Sequence, residues 1–76
     1  MKTKLQERRE EKKISQKKLA KLVNINPQAI HQYETKIRNI DGCNIKTLAK
    51  IARALDCKIT DIIEDKETVF LLLNIN

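Results

Sequence analysis

Apolar residues recur along the chain at helical spacing, in short runs separated by polar corners. Thr3 is placed to cap a first helix running to about Lys13. Only Leu5 is clearly apolar there, so long side-chain stems must complete its inner face. Ser15 caps a second helix, Gln16 to Val23, in which Leu19, Leu22 and Val23 form a narrow apolar stripe. Asn24 tolerates the left-handed backbone that ends a helix, and Ile25 is an apolar plug in the turn. Asn26-Pro27 is a start signal, a capping side chain followed by proline in the first helical position. A third helix therefore runs from Pro27 to about Thr35. The stretch Asn39 to Asn44 is a break, with Asp41 as the expected cap of a fourth helix ending at Leu55. Its apolar positions are Ile45, Leu48, Ile51, Ala52 and Leu55, the best amphipathic pattern in the chain. After a turn at Asp56-Cys57-Lys58, Thr60 is expected to cap a short fifth helix holding Ile62 and Ile63. The tail, Val69 to Asn76, is apolar without a helical period and reads as a terminal strand. The expected architecture is all-α, with five helices over residues 1–65 and a tail over 66–76 that serves as a dimerisation strand.

Composition narrows this further. A chain of 76 residues holds one core, and one Gly with one Pro leaves little turn chemistry for a sheet protein. Tyr33 and Phe70 are the only aromatics, too few for a platform that stacks single-stranded bases. No apolar run approaches the roughly 18 residues of a membrane span, and Met1-Lys2-Thr3-Lys4 is not followed by a signal-peptide core. A cytoplasmic protein is expected. Cys43, Cys57 and the single His31 are too few for a zinc site at usual spacing, so two reduced thiols and no metal or cofactor are expected. Nothing resembles a paired nucleophile and base or a phosphate loop, which argues against an enzyme.

Charge changes the picture more. Residues 1–55 carry 14 Lys and Arg against 5 Asp and Glu, whereas residues 56–76 are net acidic. A positive field confined to part of a small domain suits a polyanion. The second and third helices, joined by Asn24-Ile25-Asn26, form a helix-turn-helix candidate. Projected on a helical wheel, Gln28, His31, Gln32 and Thr35 of the third helix fall within an arc of about 100°. Ile30 and Tyr33 lie on the opposite side, and Ala29 is at the border. The outer face is polar and uncharged, which suits base edges; glutamine can bond adenine N6 and N7 together. Gln28, Gln32, His31 and Ala29 are the candidate base contacts. Gln16 and Lys17 open the second helix, where free backbone N–H groups favour phosphate. Asn26, Thr35, Lys36 and Arg38 flank the third helix and complete the phosphate candidates.

The stretch from Leu5 to Ile63 resembles the helix-turn-helix family of phage Cro and repressor proteins, also called the XRE family. The matching residues are Ser15-Gln16-Lys17-Lys18-Leu19-Ala20, Ile25-Asn26-Pro27-Gln28-Ala29-Ile30, Tyr33-Glu34-Thr35-Lys36-Ile37-Arg38 and Lys46 through Leu55. The resemblance implies the five-helix, lambda-repressor-like fold and a dimeric, sequence-specific binder of duplex DNA. It also implies that Gln16 contacts phosphate, that Gln28 and Gln32 read bases, and that Arg9 and Glu34 form a partly buried salt bridge. The chain departs from the family at Asn24 and Lys36, where glycine is frequent, and at Pro27, where a reading side chain is often found. Arg8 stands where an apolar residue is usual, Ile37 where lysine is, and the loop from Asn39 to Asn44 is longer than the common form.

The expected function is a transcriptional regulator, most simply a repressor, that binds an inverted-repeat operator as a homodimer without a small-molecule effector. A restriction-modification controller or an antitoxin would use the same surface. A protein-interaction module that has lost DNA binding should instead carry large apolar anchors on the outer face, and a nucleoid protein should bind without sequence preference.

Overall fold

A computed structural model of the chain describes residues 1–74. Five helices follow one another: α1 Lys4–Glu11, α2 Gln16–Val23, α3 Pro27–Glu34, α4 Ile45–Ala54 and α5 Lys66–Leu73. Each is eight to ten residues long. Isolated helices of that length are marginal in water, so these persist through caps and burial. The Thr3 hydroxyl accepts from Gln6 N, the Ser15 hydroxyl from Lys18 N, and Asn26 Oδ1 from Gln28 N. Each bond satisfies a donor that the helix start leaves open.

The core is aliphatic. Leu5, Leu19, Val23, Ile30, Ile40, Leu48, Ile51, Leu55, Ile62 and Ile63 are buried, with Ala20 and Ala52 where helices approach closely. Helix α2 packs against both α3 and α4, and α1 reaches α3. Two stripe residues stay outside: Leu22 is 57 % exposed and Ile45 is 55 % exposed. Both sit at the margin of faces whose centres, Leu19 with Val23 and Leu48 with Ile51, fill the core.

Several elements differ from the sequence expectation. Helix α1 stops at Glu11 because Lys13 turns left-handed (φ 57°) to bring Ile14 inward. Helix α3 ends at Glu34, with Thr35 as its C-terminal cap. The cap of α4 is Asn44, whose side chain accepts from Lys46 N. Asp41 lies in a single 3-10 turn, Ile40–Gly42, and its carboxylate takes the N–H groups of Glu64 and Asp65, both at 2.9 Å. Thr60 does not cap an α-helix; it sits inside a 3-10 turn, Ile59–Asp61, closed by a bond from Lys58 N to Asp61 Oδ2. Ile62 and Ile63 are fully buried beyond that turn.

The tail is a helix, not a strand, among the described residues; Ile75 and Asn76 of that expectation lie outside them. Asp65 is the physical reason. Its carboxylate accepts from both the backbone N–H and the hydroxyl of Thr68, which nucleates the first turn. Val69 and Leu72, three apart, then pack against the core.

Two polar residues are buried in the frame, the α1 cap Thr3 and one carboxylate. Glu34 closes α3 with its side chain 2 % exposed. The Arg9 guanidinium donates Nε to Oε2 at 2.7 Å and a terminal nitrogen to Oε1 at 3.0 Å, while its other terminal nitrogen bonds the Ile14 carbonyl at 2.8 Å. Hydrogen bonding to Glu34 holds the Arg9 charge more firmly than usual, its pKa raised above the ordinary arginine value. This fork ties α1 to the end of α3 where Leu5 alone supplies buried apolar area from α1.

Removing the arginine strands a buried carboxylate, which costs on the order of 3 kcal/mol. Arg9→Ala should lower the thermal midpoint by more than about 10 °C for a domain of this size. Lys12→Ala on the same helix, losing only the exposed pair with Asp56, should change it little. Thermal melts followed by circular dichroism compare the two. A second outcome concerns acid. Hydrogen bonds from Thr68 hold the Asp65 carboxyl below the usual range. Its contribution is thus present above the unfolded pKa of about 4 and is lost as pH falls through the lower folded value. The protection of α5 amides, measured against their intrinsic exchange rates, should fall in that window, and Asp65→Asn should remove most of that fall.

Candidate nucleic-acid interface

Helix α3 is anchored on one side and open on the other. Ile30 is fully buried, Glu34 nearly so, and Tyr33 is half-buried with its hydroxyl 3.3 Å from Cys43 Sγ. That contact, with burial, raises the tyrosine pKa. The opposite side presents Gln28 and His31 exposed, with Gln32 and Ala29 half-buried beside them. Among these four no ion pair forms, and none of their side chains is held by a hydrogen bond in the described residues. The face is therefore neutral, polar and free to bond a ligand.

Cations frame it. Lys17, Lys36 and Arg38 are exposed and make no ion pair among the described residues. Lys36 follows the α3 cap in the left-handed region (φ 64°), a conformation that lysine adopts at a cost of roughly 1 kcal/mol. That reversal lets Arg38 N bond back to the Gln32 carbonyl at 3.1 Å, which fixes the basic segment against the end of α3.

Other candidates are already engaged. Asn26 uses its side-chain oxygen as the α3 cap, which leaves its amide N–H groups available. The Thr35 hydroxyl donates to the His31 carbonyl at 2.9 Å, so it must rotate away before it can donate elsewhere. Gln16, half-buried, donates its amide to Glu34 Oε1 at 2.9 Å and so joins the Arg9–Glu34 pair. The backbone N–H groups of Gln16 and Lys17 point out of the α2 start, because the Ser15 hydroxyl takes only that of Lys18.

Sequence reasoning treated the loop after α3 only as a break. An open groove of about 570 Å³ runs between α3 and the start of α4 and gathers Asn26, Ala29, Arg38, Asn39 and Asn44. Asn39 and Asn44 each accept a backbone N–H with the side-chain oxygen, which turns their amide groups outward as further donors. Their role as turn caps was the available signal. Cys43 and Cys57 are free and half-buried, and burial raises the Cys57 thiol pKa. No group of three or more His, Cys, Asp or Glu that could hold a metal occurs among the described residues. No helix there is long and apolar enough to cross a membrane.

An uncharged polar face between two basic flanks, on the second helix of a two-helix unit, agrees with the comparison to protein families. The model of the Cro/C1-type HTH DNA-binding domain matches residues 4–67. Comparison with curated proteins and with solved structures gives no match. The match spans α1 through the first two residues of α5 and so includes every element that positions the interface: the chain belongs to the Cro/C1-type helix-turn-helix DNA-binding family.

Proposed function

We propose that the chain is a sequence-specific regulator of transcription that represses by occupying promoter DNA as a homodimer on an inverted repeat. The observation that carries this is the division of α3: Ile30 and Glu34 fix it to the frame while Gln28 and His31 stand exposed on an uncharged face. In this reading α3 lies in the major groove. Gln28 and Gln32 bond base edges, His31 and Ala29 line the same contact, and Gln16, Lys17, Asn26, Thr35, Lys36 and Arg38 hold phosphates on either side. Asn39 and Asn44 add amide donors to the second flank.

The dimer is supported by size and by surface. The longest dimension of the fold is 33 Å and it holds one reading helix. Successive major grooves on one side of a duplex lie about 34 Å apart, so two copies are needed to read both. On α5, Phe70 is 64 % exposed, Leu71 57 % and Leu73 69 %. Three bare apolar side chains on a helix already held by Val69 and Leu72 suit the same surface of a second copy.

Selection of bound duplexes from a randomised library tests the reading. An inverted repeat with two half-sites is expected; recovery of unrelated sequences would favour a nonspecific binder. Gln28→Ala should relax preference at one position per half-site, a change of about 1–3 kcal/mol in discrimination. Lys17→Ala should weaken all sequences alike and reduce the salt slope by about one. Phe70→Asp should shift the protein toward monomer in sedimentation equilibrium while leaving its helical content intact.

A further inference from the structure

A glutamine side chain has three rotatable bonds and two amide N–H donors. Left free at a helix start it is mobile and must be ordered at the moment it grips a ligand. Gln16 is not free. One amide N–H is bonded to Glu34 Oε1 at 2.9 Å, the oxygen that also accepts an Arg9 terminal nitrogen at 3.0 Å. Glu34 in turn is almost fully buried, and Arg9 holds it by two bonds and the Ile14 carbonyl by a third. Each link limits the next, and the last one reaches the open end of α2. The Arg9 charge also offsets the carboxylate, which would otherwise repel a phosphate one side chain away.

We infer that Glu34 is a positioning residue for phosphate recognition: it holds the Gln16 amide in place so that the remaining amide N–H, with the backbone N–H groups of Gln16 and Lys17, meets one DNA phosphate. The inference rests on the DNA-binding reading above. The ordering of Gln16 is then complete on folding, and the buried ion pair acts on affinity as well as on stability.

The test is a double-mutant cycle on the whole chain, with the duplex recovered by selection as probe. Glu34→Leu is made together with Arg9→Met, so that both partners of the ion pair become apolar and neither is stranded. Circular dichroism reports folding. In the otherwise unaltered protein this paired change should weaken binding by about tenfold, within the range of couplings between residues in one hydrogen-bond network. In a Gln16→Ala background it should weaken binding by less than about twofold. Equal losses in both backgrounds overturn the inference, since the pair would then act only through the fold. Should the paired variant not fold, nuclear magnetic resonance on the unaltered free protein decides. The Gln16 side-chain amide should be rigid and slow to exchange, unlike those of Gln28 and Gln32, and equal mobility of all three overturns the inference. An unaltered chain that binds no duplex overturns the DNA-binding reading and this inference together; binding with additive losses overturns this inference alone.

Discussion

Helix α3 is two turns long, and a helix that short has no stability of its own to spare. Its placement depends on burying a carboxylate at its C-terminal end. Glu34 can be buried only because Arg9 meets it with two donors, and Arg9 can be there only because α1 is folded. The dependence runs the other way too. Helix α1 brings just one buried apolar residue, Leu5, so the ion pair is what commits it to α3. A charge that would be expensive alone thereby couples the first helix to the third across 25 residues of chain.

The same economy governs the rest of the polar frame. Short helices expose many open N–H groups relative to their length. The chain meets these with Thr3, Ser15, Asn26, Asn44 and Asp65, one at the start of each helix. Where the chain lacks a helix, Asp41 binds two consecutive N–H groups of the segment leading to α5, and Glu64 accepts from Lys4 N, which closes that segment onto the start of α1. The apolar core can therefore be small and purely aliphatic, because the peptide groups around it are satisfied from nearby side chains. No buried side-chain nitrogen or oxygen lacks a partner among the described residues.

What could be read from the sequence was whatever is decided within a few residues. Ser15 and Asn26-Pro27 announce α2 and α3 because a cap acts on the N–H two or three positions later. The polar face of α3 follows from its period alone. Asp41 misled because its carboxylate serves N–H groups 23 and 24 residues on, a partnership that no local pattern records. Thr60 misled because a 3-10 turn suffices to deliver Ile62 and Ile63 to the core. The tail misled because its exposed leucines and phenylalanine obscure the two positions, Val69 and Leu72, that define its inner face. At the interface, the bond from Gln16 to Glu34 joins residues 18 apart on different helices and becomes visible only once both helices are placed.

Lys13, Asn24, Lys36 and Asp56 all adopt left-handed backbone, with φ between 54° and 64°, and none of them is glycine. The chain's one glycine, Gly42, lies elsewhere. Asn and Asp accept this conformation with little penalty; the two lysines accept it less readily. The fold thus holds an untapped reserve of stability at two backbone corners, in an otherwise well-satisfied molecule. At Lys13 that reserve lies in the turn between α1 and α2. At Lys36 relief of the backbone and removal of a cation beside α3 are the same substitution. Glycine at either corner would relax the backbone, and at Lys36 it would also take away one of the exposed cations beside α3.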